Sequence, residues 1–139
     1  MIIPQINIWT AIDVIGALKR GTLSGNLYMM DNSRSPLTSG QGTETLSSAV
    51  KFTQVLNWHV MAIDVQTHIS IHKIIFHSDD ANPPCEKLKR YGAPSGDYWA
   101  GIVNLESAIK GGFYYYQIEF DVNGRIMLMD SSPSIFVSE

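Results

Sequence analysis

The ten residues FYYYQIEFDV, from Phe113 to Val122, most constrain what this chain can become. In an extended chain Tyr114, Tyr116, Ile118, Phe120 and Val122 fall on one side, and the acidic and amide groups fall on the other. Asn123-Gly124 follows at once, a pair that tolerates positive φ at both central positions of a two-residue turn. RIMLMD then returns. A half-buried hairpin is predicted, so the chain has a sheet with one face on a core.

The same period recurs upstream. In QINIWTAID, Ile6, Ile8, Thr10 and Ile12 face one way, and Asn7, Trp9, Ala11 and Asp13 the other. GNLYMMD, LNWHVMAID and part of SIHKIIFH add further strand-like runs. Helical signal is thin. TLSSAVKFTQV places Leu46, Ala49, Val50 and Thr53 on one helical face, and VIGALKR supplies a turn. Seven or so strands divided by Gly, Pro, Ser and Asn predict an all-β fold, an antiparallel β-sandwich of jelly-roll type with little helix. With 139 residues and no repeat or linker, residues 1–139 form one expected domain.

Composition removes several function classes. The formal charge is −3 and the cations are dispersed, except around Glu86 to Arg90, so no basic stripe for nucleic acid exists. The apolar N-terminus lacks a basic start and is broken by Pro4, Asn7 and Asp13, unlike a secretory signal. No run is long enough to insert in a membrane. Cys85 is alone, so no intrachain disulfide forms, and a cytoplasmic location is expected.

Catalytic motifs fail one by one. SPLTSGQGTETLSS resembles a phosphate loop, yet Thr45 stands where a dinucleotide fingerprint needs its third glycine, and no lysine precedes Lys51. It reads as a glycine turn. His68 and His72 share a strand face but sit roughly 13 Å apart at the usual rise, too far to hold one metal. No serine occupies a nucleophile elbow, and the single Cys85, which follows two prolines, shows no sequence sign of a lowered pKa. An acid/base pair of Asp13 with Glu44 or Glu119 has no support in spacing. The chain is expected not to be an enzyme.

One segment breaks the alternation. SDDANPPCEKLKRYGAPSG, from Ser78 to Gly96, has three prolines, two glycines and little strand pattern, and is expected to be a long functional loop. Asp79, Asp80 and Asn82 gather at its start and Asp97 follows its end, beside Tyr98 and Trp99. Carboxylate and amide oxygens are hard ligands suited to Ca²⁺, with Asp79, Asp80 and Asp97 as the metal set. Tyr98 or Trp99 offers a ring for the apolar face of a sugar, although alternation sends one of the two to the core. Asp79, Asp80, Asn82, Asp97, Tyr98 and Trp99 together make the candidate ligand site.

INIWTAIDV, LYMMDNSRSPLTSGQGTETL, LNWHV, GDYWAGIV and GFYYYQIEFDVNGRIMLMDSSPSI, taken in order, resemble the PixA/AidA family of bacterial inclusion-body proteins. The likeness runs over nearly the whole chain. It departs at the closing strand, where Ile126 to Met129 replace a more aromatic stretch, and in the Ser78–Gly96 segment. The resemblance implies a small β-sandwich without cofactor-dependent chemistry, present in quantity in bacterial cells, in some members as inclusions or under quorum-sensing control. It also implies lectin-like carbohydrate binding. A homo-oligomer is the expected state, and self-assembly without a small-molecule ligand is the alternative function.

Overall fold

The computed structural model of the chain describes residues 3–64, 66–77, 83–92 and 96–139. Among the described residues, ten strands and one short helix follow in the order β1 (Ile6–Ile12), α1 (Val14–Arg20), β2 (Leu27–Asp31), β3 (Ser47–Val50), β4 (Val55–Ala62), β5 (Ile69–Phe76), β6 (Cys85–Tyr91), β7 (Tyr98–Val103), β8 (Phe113–Val122), β9 (Arg125–Leu128) and β10 (Ser134–Val137). They form two layers. One sheet runs β2-β1-β4-β7-β6. The other runs β3-β10-β8-β5, with β9 also on β8.

All-β is correct, but the sheets are mixed. β1 lies parallel to β4, and β10 parallel to β3; the remaining pairs are antiparallel. The parallel pairs depart from the wholly antiparallel jelly-roll arrangement expected from sequence. Local alternation sorts a strand's side chains into two faces, but it says nothing of a partner's direction, which the long connections decide.

The predicted faces hold where alternation is strict. In β1, Ile6, Ile8, Thr10 and Ile12 are buried and Trp9 is exposed; in β8, Tyr116, Ile118, Phe120 and Val122 are buried. Asn123 and Gly124 take φ of 52° and 90° and join β8 to β9 in register, Val122 opposite Arg125. Between the layers, Trp58 meets Tyr116 edge-on at 5.8 Å between ring centroids and Phe76 at 6.3 Å.

Three local expectations change. VIGALKR is a capped helix rather than a turn: the Asp13 side chain accepts from the Gly16 N–H, and the Gly21 N–H closes the far end on the Ala17 carbonyl. TLSSAVKFTQV is not helical. It contains β3, whose four residues are all buried, because the preceding segment covers it: Ser39 pairs with Ser47 and the Ala49 N–H donates to Thr38 Oγ1. Burial on both sides erases the period-2 signal. Finally, the segment expected as a structureless loop contains β6. Its Glu86, Lys87, Lys89 and Arg90 lie at a sheet edge, where charge is favoured, and a bulge with Lys87 at φ 56° interrupts the ladder.

The phosphate-like stretch has a structural task. The Gly42 N–H donates to the Met29 carbonyl and the Met29 N–H to the Thr43 carbonyl, while Ser39 engages Ser47. One segment therefore seals the free edges of β2 and β3. Gly40 sits at φ 78°, and a Cβ there would lie 3.0 Å from the Thr45 carbonyl oxygen, so the turn requires glycine. On the opposite side β5 is blunted by a bulge after Ile71, and the Ile71 carbonyl accepts from both Trp99 Nε1 and Arg90 Nη2.

Candidate functional site

The outward side chains of β1, β4, β7 and β6 bring four rings into one row across the first sheet. Trp9 pairs with His59 in the ladder and stacks on it at 4.5 Å between centroids, with planes 16° apart. His59 stacks on Tyr98 at 5.6 Å, and Tyr98 on Tyr91 at 5.8 Å. The Lys89 ammonium lies 5.1 Å from the Tyr91 ring centre. Adjacent strands are about 4.8 Å apart, so rings stacked across them stand upright like books on a shelf. Their edges face solvent and their faces meet one another.

Below the rings runs a chain of amides. Asn57 Nδ2 donates to Gln5 Oε1 at 2.8 Å and lies 3.2 Å from Asn7 Oδ1, which is in turn 3.3 Å from His59 Nε2. Beside it is a shallow recess of about 220 Å³ bordered by Gln5, Asn57, Lys87, Tyr91 and Tyr98. Desolvation by the flanking rings holds the His59 pKa below its ordinary value and favours the neutral imidazole.

Toward β2 the same face becomes apolar. Met30 lies opposite Trp9, while Tyr28 and Met61 both flank Ala11; Trp9, Tyr28, Met30 and Met61 are 39%, 43%, 43% and 45% exposed. Four large apolar groups adjoining in two rows leave a cluster of the kind that usually marks a contact surface.

The residues singled out from sequence are divided by this geometry. Tyr98 stands in the ring row, with both faces occupied by His59 and Tyr91. Trp99 points inward, packs on the core and donates its indole N–H to Ile71. Tyr98 therefore offers no open ring face, and Trp99 is partly buried against the core. Asp97 is exposed at the start of β7. Asp79, Asp80 and Asn82 lie outside the described residues. Among the described residues no three His, Cys, Asp or Glu side chains converge on a metal position.

Other candidates do structural work. Asp13 caps α1, Glu44 accepts from the Gly25 N–H, and Glu119 lies 3.9 Å from the exposed His72. Cys85 is buried, and desolvation pushes its thiol up to about 12. Sequence reasoning missed Trp9, His59 and Tyr91 as a unit. The signal lay in outward positions of separate strands, and only the β1–β4–β7–β6 order places them side by side.

No helix among the described residues is long and apolar enough to cross a membrane. The fold is similar to that in the crystal structure of an inclusion body protein, PixA, from Burkholderia cenocepacia J2315. The TM-score is 0.69 over 99% of this chain and 93% of that one, at 13% sequence identity. The fold expected from the family resemblance is thereby supported. No curated protein matches the sequence. A family model matches residues 4–128, most of the chain, and the protein belongs to the family described as a domain of unknown function (DUF8788).

Proposed function

We infer that this is a non-catalytic cytoplasmic protein that associates with copies of itself through the outer face of the β2-β1-β4-β7-β6 sheet. The observation that carries the reading is the adjoining exposed set of Trp9, Tyr28, Met30 and Met61, on a part of the face whose outward positions in β1, β2, β4 and β7 carry no carboxylate; Glu86 stands apart on the edge strand β6. Burying such a cluster against a second copy removes apolar area from water at about 25 cal/mol per Å². The fold likeness to an inclusion body protein supports this reading. Light scattering over a concentration series tests it. Wild type is expected to gain mass with concentration, and the Met30→Lys/Met61→Lys variant, altered only at exposed positions, is expected to remain monomeric. A monomeric wild type at every concentration would sink the proposal.

Carbohydrate binding is the second reading, favoured by the recess beside the amide chain. Gln5, Asn57 and Lys87 line it with hydrogen-bonding groups, and Tyr91 and Tyr98 present ring edges rather than a stacking platform. A glycan array run in Ca²⁺ and again in EDTA separates the possible sites. Binding indifferent to EDTA and lost in Asn57→Ala belongs to the recess. Binding lost in EDTA and in Asp97→Ala belongs to the metal set Asp79, Asp80 and Asp97.

A further inference from the structure

A second concavity lies beyond Gln5, at the end of the sheet. It is a cleft of about 660 Å³ between the segment entering β1, the segment leaving β2, the end of β3 and residues 138–139. Its size suits a small organic molecule. Ile3, Pro4, Ile6, Pro36, Leu37 and Ala49 form an apolar lining. Leu37 is 56% exposed and Ile3 36% exposed, so part of that lining faces water.

The polar groups of the walls are largely spent on one another. Gln54 Nε2 donates to the Pro4 carbonyl at 2.7 Å, and Gln54 Oε1 accepts from the Lys51 N–H at 2.9 Å. Asn32 Oδ1 accepts from the Asn7 N–H, and the Phe52 N–H donates to the Glu139 carbonyl. These bonds tie the walls to both sheets, so the cleft is held open by satisfied contacts.

Charge is left over. Lys51 pairs with Glu139 at 3.5 Å, whereas among the described residues no carboxylate forms an ion pair with Arg34. Lys51 and Arg34 both border the cleft, and among the described residues the planar Arg34 guanidinium, exposed to solvent, has no ion-pair partner. A guanidinium is a fork of donors matched to two oxygens of one anion.

We propose that this cleft binds an organic anion with an apolar body: the carboxylate or phosphate head on Arg34, and the body against Ile3, Pro36 and Leu37. The site is separate from the face through which copies associate, and it stands whether or not they do. A free amphiphile fits better than a lipid surface, because the walls enclose a body that a bilayer would retain.

Decanoate below its micelle concentration is the probe, followed by ¹H–¹⁵N NMR on the full chain with decanol as the uncharged control. Shifts are expected to concentrate at residues 33–37 and 51–54, with decanoate binding more tightly than decanol. Arg34→Ala should weaken decanoate by about tenfold, the worth of a charge-assisted bond, and leave decanol unchanged. Leu37→Trp, which fills the cleft from an exposed loop, should weaken both. Shifts confined to the Trp9–Met30 face, or an Arg34→Ala variant with wild-type affinity, would overturn the assignment. So would Arg34-dependent sedimentation with phosphatidylglycerol vesicles in the absence of decanoate binding.

Discussion

The first sheet carries an aromatic group on each side of the same strand, and the two sides have opposite physics. On the inner side Trp58 is fully buried and meets Tyr116 and Phe76 at steep angles. On the outer side Trp9, His59, Tyr98 and Tyr91 stand in parallel at the solvent boundary. Trp58 and His59 are consecutive residues. The difference lies in what surrounds each ring: Trp58 is enclosed by side chains from both layers, and the outer rings touch chiefly one another. Inner rings hold the layers together, while outer rings are free to be contacted.

The largest effect should come from emptying the inner side. Trp58→Ala is expected to cost about 3–5 kcal/mol, read from the urea unfolding midpoint, because no neighbour can refill the volume. Trp9→Ala and Tyr98→Ala, which remove one ring from the outer row, should cost only about 0.5–1.5 kcal/mol each by the same measurement. Outer variants as costly as Trp58→Ala would erase the contrast.

Titration sharpens the comparison further. Buried Cys85 has its pKa raised to about 12 from 9.0, so its contribution to stability is complete below pH 9.0 and falls as pH rises toward 12. Its thiol should resist Ellman's reagent at pH 8 in the native protein and react fully in denaturant. His59 has its pKa lowered from 6.5. Its contribution is therefore present above pH 6.5 and lost as pH falls through the lower folded value, where the unfolded state takes up the proton first. Urea midpoints at pH 7.5 and pH 5 should differ less in His59→Gln than in wild type. The smallest effect belongs to Asp97→Ala, an exposed change expected within about 0.5 kcal/mol.

Much of this was legible in the sequence, and the failures share a cause. Strict alternation in β1 and β8 sorted the side chains into two faces, with Trp9 opposite Ile6, Ile8 and Ile12; which face is buried became visible only in the structure. The Asn123-Gly124 turn was readable because its backbone demand selects so few residue pairs. β6 was missed because a bulged edge strand bearing Glu86, Lys87, Lys89 and Arg90 carries the charge of a loop. β3 was misread because burial on all four positions leaves no period. In the site, GDYW divided as alternation requires, one ring out and one in. That Tyr98 would have both faces covered depended on His59 and Tyr91, residues supplied by strands distant in sequence.

The sealed sheet edges have a consequence for any condensed state of this protein. Cross-β growth needs a bare strand to template the next, and here four margins are obstructed: β2 and β3 by the Ser39–Thr43 turn, β5 by its bulge and two side-chain donors, β6 by charge and a second bulge; the remaining edge, β9, is only four residues long. Dense material formed by this chain should therefore consist of intact folded copies. It should redissolve on dilution, leave thioflavin T dark, and return protein with its unfolding midpoint unchanged.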